Sequence, residues 1–109
     1  MARYLIQASY TSESIQNMVR NPQDRSAVVG AMAERWGGTA ESFYFAFGEY
    51  DVVAIVDVPD NVTMAAIAMA VGGSGGLKTF KTTILIPMDD AVEAMRKASS
   101  ISYQPPRGR

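Results

Sequence analysis

Residues 43–58 read Phe43-Tyr-Phe-Ala-Phe-Gly-Glu-Tyr-Asp-Val-Val-Ala-Ile-Val-Asp-Val58. Phe43, Phe45 and Phe47 alternate with their neighbours, and Val52 to Val58 is rich in β-branched residues, so both flanks predict strands. Gly48 at the first central position between Phe47 and Tyr50 predicts a two-residue type II′ turn. Such a turn pairs Phe45 with Val52 and Tyr44 with Val53. Phe43, Phe45, Val52, Ala54 and Val56 then share one apolar face, because side chains alternate along a strand.

Before this hairpin, Tyr4 to Tyr10 reads as a strand, and Thr11 as the N-cap of a helix with Glu13 in its first turn. Asn21-Pro22, with Asp24 close behind, reads as a second cap. The spacing therefore predicts one kinked or restarted helix to about Arg35. Its inner stripe is Ile15, Val19, Val29, Ala33 and Trp36, with Trp36 as a core anchor and Met32 off the stripe. Gly37-Gly38 ends it.

After the hairpin, Pro59 stops the strand and Asp60 caps a helix over Asn61 to Val71. That helix is apolar nearly all round, so it is expected to be buried on more than one side. Gly72-Gly73-Ser74-Gly75-Gly76 ends it, Lys78 to Ile86 is a fourth strand, and Asp89 to Ala98 is a short last helix. The order is β-α-β-β-α-β plus a helix. It predicts an α+β, ferredoxin-like βαββαβ sandwich, a four-stranded antiparallel sheet with two helices on one face. Residues 1–98 form one domain, and 99–109, with Pro105-Pro106 and Gly108, form a flexible tail.

The 109 residues include no cysteine and no histidine. This excludes thiolate and imidazole metal sites, disulfides, and Ser-His or Cys-His nucleophiles. No metal and no cofactor is expected, and acid–base chemistry would fall to Asp, Glu, Lys or Tyr. Ten basic residues against eleven acidic ones leave a formal net charge of −1, with no basic stripe beyond Arg107 and Arg109. Nucleic-acid binding is disfavoured. RNA-recognition domains share this element order but need aromatics on strand three, which Val52 to Val58 lacks. There is no apolar segment of export or membrane-spanning length, so a cytoplasmic protein with no membrane partner is expected. The Gly-rich pentapeptide follows a helix and leads into a strand, the reverse of a phosphate cradle, and reads as a helix stop.

The sheet face away from the helices is mixed in polarity. In a 4-1-3-2 sheet, Gln7 faces Lys81 on one side and Asp51 or Val53 on the other. Gln7, Ser9, Tyr44, Asp51, Lys81 and Thr83 are the ligand-binding candidates there, in a partly wet cavity closed by a second subunit. Each has a plainer reading. Asp51 could cap the hairpin backbone with Tyr50 packed on Phe47, and Lys81 could serve a cross-strand ion pair or a subunit contact.

Tyr4-Leu-Ile-Gln-Ala-Ser-Tyr-Thr11, Trp36-Gly-Gly38, Gly48-Glu-Tyr-Asp51 and the Gly-rich turn after an alanine-rich helix together resemble the GYD-domain family. The Gly-Tyr-Asp signature here carries Glu49 within it. The resemblance spans about residues 3 to 97 and implies a dimeric α/β-barrel assembly, with the chain as its own partner in a homodimer or higher oligomer. It implies no activity. Two functions remain open: a domain that binds a small, mostly apolar ligand or serves as an assembly accessory, and a cofactor-independent monooxygenase- or isomerase-like enzyme using Asp51, Tyr44 and Lys81 for proton transfer.

Overall fold

Strand β1 (Ala2–Tyr10) runs through the middle of a four-stranded antiparallel sheet of order β2-β3-β1-β4, with β2 spanning Thr39–Phe45, β3 Val52–Val58 and β4 Leu77–Leu85. The computed structural model describes residues 1–108. Arg109, one of the two terminal arginines, lies outside them. Tyr4, Ile6 and Ala8 of β1 and Val52, Ala54, Val56 and Val58 of β3 are buried on one face, where Met64 packs against them. This period-two burial is what the alternation in the sequence dictates.

Three helices lie over that face: α1 (Ser12–Arg20), α2 (Ser26–Arg35) and α3 (Asn61–Gly72). Thr11 caps α1 by accepting from the Ser14 amide, and Asp60 caps α3 by accepting from the Thr63 amide. The buried Tyr4 hydroxyl donates to Asn61 Oδ1, tying β1 to the start of α3. Burial pushes the Tyr4 pKa up, and the Asp60 charge adds to it.

The first helical segment breaks more completely than its sequence suggests. Residues 21–25 separate α1 from α2, and the restart is at Ser26, whose amide and hydroxyl donate to Asp24 at 2.9 and 2.5 Å. Asp24, not Asn21-Pro22, supplies the start signal. Of the expected inner stripe, Ile15 and Val29 are half-buried and Ala33 is buried, while Val19 and Trp36 are not. Val19, in the last turn of α1, is 73% exposed, Trp36 is 57% exposed and is no core anchor, and Ser14 and Met18 join Ile15 as the half-buried positions of α1.

Trp36 is the C-cap of α2. The amide of Gly38 donates to Ala33 and that of Gly37 to Glu34, the paired bonds of a Schellman ending. Gly37 has φ +86°, and a Cβ at Gly38 would sit 1.9 Å from the Asp57 carbonyl oxygen. One glycine permits the left-handed turn and the other lets β2 approach β3.

The β2–β3 register is the expected one, Phe45 with Val52 and Tyr44 with Val53, but the loop is not a type II′ turn. Among the described residues only Gly37 and Gly75 have positive φ, so Gly48 lacks the conformation that turn needs. The loop from Ala46 to Asp51 leans toward β1. The Asp51 amide donates to Ala8, the Ser9 hydroxyl to the Glu49 carbonyl, and the Ala46 amide to the Asp51 carbonyl. Phe47 is left 96% exposed and does not pack under Tyr50.

Helix α3 also departs from expectation. Met64 is its one fully buried side chain, while Val62 and Met69 face outward, exposed. Helix α4 (Met88–Ser99) is amphipathic and packs substantially on no other element. The radius of gyration, 17.8 Å, exceeds the roughly 13 Å of a compact chain this long. Residues 101–108 carry no regular structure, and no helix among the described residues is long and apolar enough to cross a membrane.

Candidate functional site

Helices α1, α2 and α3 each rest on the sheet, but none packs substantially on another helix. Between them lies a cleft of about 560 Å³ whose floor is the buried face of β1 and β3. That volume lies within the usual range of small-molecule sites. Its walls are Val29, Met32 and Ala33 from α2 and Met64, Ile67 and Val71 from α3. The polar lining gathers at the end where β1 finishes: Tyr10, Ser14, Asn17, Gln23, Arg25 and Ser74.

A second hollow of about 260 Å³ opens on Tyr10, Met18, Gln23, Arg25 and Phe43 of the same end, with Asp24, Ser26 and Phe45 on its rim. Tyr10 stacks on Phe45 at 6.4 Å between ring centroids. Burial raises the Tyr10 pKa, against a lowering by the Arg25 guanidinium beside it, and the Asp51 charge raises it further. Arg25 donates to Gln23 Oε1 at 3.1 Å and makes no ion pair among the described residues.

The six residues singled out from the sequence lie away from this cleft, on the opposite side of the sheet. Lys81, Gln7, Val53 and Tyr44 form one cross-sheet row, since Gln7 pairs with both Lys81 and Val53, and Val53 with Tyr44. Gln7 is half-buried, while Lys81, Tyr44 and Thr83 are exposed. Thr83 sits one row further along, opposite Leu5. Ser9 is buried and committed to Glu49. Asp51 accepts the Tyr10 amide at 2.9 Å and so closes the end of β1. At the far corner of this face, Arg3 bridges Asp57 at 2.9 Å and Glu41 at 2.6 Å. Glu41 is the extra residue of a bulge in β2, between Ala40 paired to Val56 and Ser42 paired to Ile55.

The cleft was hidden from sequence reasoning because its polar end is built by the helix break. The sequence places Gln23 and Arg25 in a helix restarted at Asn21-Pro22, whereas the restart at Ser26 leaves them in a connection that lines the cleft. Met32, off the expected stripe, was the one signal. The Gly-rich turn contributes to the same end: Gly76 accepts from the Thr11 amide and the Ser14 hydroxyl, so its lip faces the cleft. No group of three or more acidic residues among the described residues could hold a metal ion.

The sequence pattern of the GYD domain matches residues 4–95. The chain is 24% identical over 96 residues to the glutamine synthetase and cystathionine beta-lyase binding protein of Thermus thermophilus, a match covering 88% of this chain and all of that protein. Two solved structures share the fold. FFRP-DM1 superposes with a TM-score of 0.51 at 14% identity, over 79% of this chain and all of the other. The hypothetical protein PHS023 from Pyrococcus horikoshii gives 0.52 at 14%, over 80% and 92%.

Proposed function

The chain belongs to the GYD-domain family, and on that footing we propose that it is an accessory domain that docks on a partner enzyme through helix α4. The observation that carries this reading is the state of α4. Met88, Val92 and Met95 recur at helical spacing on one side, 73%, 38% and 62% exposed, and among the described residues no element packs substantially on the helix. Ile101 and Tyr103 extend the apolar surface beyond the helix. An amphipathic helix presented this way suits a hydrophobic groove on another protein, with apolar anchors at i, i+4 and i+7. The name of the Thermus relative, a binding protein for two enzymes, supports the same reading.

The open sheet face is assigned in this proposal to a second copy of the chain. Half-exposed Leu5, Val53, Ile55 and Leu85 surround the polar row of Gln7, Lys81 and Tyr44, and Ser9, Asp51 and Thr83 border it. This is the mixed character of a non-obligate interface.

The test uses purified glutamine synthetase and cystathionine beta-lyase from the organism that encodes this chain, each immobilised. Saturable binding to at least one, lost in the double variant Val92→Asp/Met95→Asp, is the expected result. Binding to neither, or binding indifferent to that double variant, overturns the proposal.

A further inference from the structure

We infer that the cleft between the covered sheet face and helices α1–α3 is a binding site for an amphipathic carboxylate, its apolar body along β3 and its carboxylate at Arg25. The occupant follows from the asymmetry of the lining. From Val52 to Val58 the floor is apolar for the length of β3, about 20 Å at strand rise. At the Val58 end the lining is Ala33, Val58 and Met64, with no polar side chain to orient a ligand. Every hydrogen-bonding side chain of the lining is at the other end, and the one cation among them is Arg25.

The charges around Arg25 leave it available to an anion. Asp24, on the rim, accepts the Ser26 amide and hydroxyl at Oδ1 and makes no ion pair with Arg25 among the described residues. Asp51, beyond Tyr10, is occupied by the Tyr10 amide. Arg25, half-buried in a chain of net charge −1, donates among the described residues to Gln23 alone, and its guanidinium stands beside the Tyr10 hydroxyl. A planar guanidinium over an apolar trough is matched by a carboxylate, which it can grip through two parallel hydrogen bonds. A neutral apolar molecule would use the trough and leave Arg25 unmatched, and an organic cation would be repelled by it.

This site is separate from the docking surface proposed above, and its test does not depend on any protein partner. The probes are dodecanoate and dodecan-1-ol, which share a chain and differ in the head. The readout is methyl NMR of the methionines, which the fold distributes conveniently. Met18, Met32 and Met64 line the cleft, and Met88 and Met95 lie on α4. Dodecanoate is expected to shift the three cleft signals saturably at one equivalent, and to bind about tenfold tighter than the alcohol, the worth of one charge-assisted contact. Arg25→Gln should remove that preference by weakening dodecanoate alone, and Arg25→Lys, which keeps the charge without the paired grip, should keep part of it. Unchanged melting temperatures of both variants establish that folding is not the cause. Three results overturn the inference: shifts confined to Met88 and Met95, a preference that survives Arg25→Gln, or cleft shifts that appear on concentrating the protein alone and block the probe. The last would mean that a second copy fills the cleft.

Discussion

Strands β3 and β4 flank β1 on opposite sides and offer the helices comparable apolar side chains, yet they end differently. The inward positions of β3, from Val52 to Val58, are all buried. Those of β4 fade from half-buried Phe80 to exposed Thr82 and Ile84, and Ile86 follows, also exposed. The cause is position in the sheet and the path of the chain. β3 lies inside the sheet between β2 and β1, whereas β4 is its edge, and after β4 the chain leaves through Pro87 into α4, which packs substantially on no other element. In the first three quarters of the sequence the inward faces of β1 and β3 are buried, while Val19, Trp36, Phe47 and the outer side of α3 stay exposed. The last quarter presents its surface outward, and surface of that kind marks interaction sites.

The most damaging way to probe the satisfied region is Gly38→Ala. The new methyl would meet the Asp57 carbonyl at 1.9 Å, and the neighbour is backbone inside a paired strand. The β2–β3 ladder must open to admit it, at a cost of more than about 4 kcal/mol, which a domain of this size barely survives. Circular dichroism is expected to find little folded protein. Gly48→Ala, in the signature loop, is the contrast. Nothing lies within 4 Å of its added carbon and its φ is not positive, so stability should change by less than about 0.5 kcal/mol.

On the unsatisfied side, Val92→Asp/Met95→Asp should leave the melting temperature within about 2 °C of wild type, as surface changes do, because both side chains are exposed and α4 packs substantially on no other element. It should weaken partner binding by about a hundredfold or more, as loss of apolar anchors does. A large fall in melting temperature instead would mean that α4 already docks within its own chain, and the contrast between β3 and β4 would vanish.

Most of the fold was legible because burial here follows period two. The strand order, the β2–β3 register and the caps at Thr11 and Asp60 all follow from local pattern and turn chemistry. What failed did so where tertiary contacts override local preference. Gly48 does not form the tight turn because Ala8, Ser9 and Tyr10 hold the loop by three hydrogen bonds. Val19 and Trp36 leave the stripe because each stands at the end of its segment, Val19 in the last turn of α1 and Trp36 at the C-cap of α2. The cleft was not legible beyond Met32, since side chains from seven separate elements make it. The open-face residues could be placed in their row from register alone, but a row of polar side chains does not itself announce what lies against it.

Asp51 sharpens the comparison from within the signature. As a backbone clamp on Tyr10, it belongs to the satisfied region. Asp51→Ala should then cost about 1.5 kcal/mol, the loss of a hydrogen bond to a charged acceptor, and lower the melting temperature by about 6 °C. A melting temperature equal to wild type would free Asp51 for a ligand role on the open face.

The smallest effect concerns Asp60 and acid. The Thr63 amide, then the Thr63 hydroxyl, hold the Asp60 carboxyl below the ordinary aspartate value of 3.8. The folded state therefore prefers the charged form. The stability this adds is complete above the unfolded value and is lost as pH falls through the lower folded one. Asp60→Ala should melt a few degrees below wild type at about pH 7, and the gap should narrow toward about pH 2.5. Asp60→Asn, a capping residue without a charge, should keep most of the melting temperature at neutral pH, and its gap should not follow the same acid titration. Because Asp60 also raises the Tyr4 pKa from the start of α3, either variant should bring the Tyr4 titration down slightly. Tyrosine absorbance at high pH measures that shift. Were the acid dependence to persist unchanged in Asp60→Ala, the cap on α3 would not be its source, and Asp24, lowered in the same way by Ser26, would be the group to replace next.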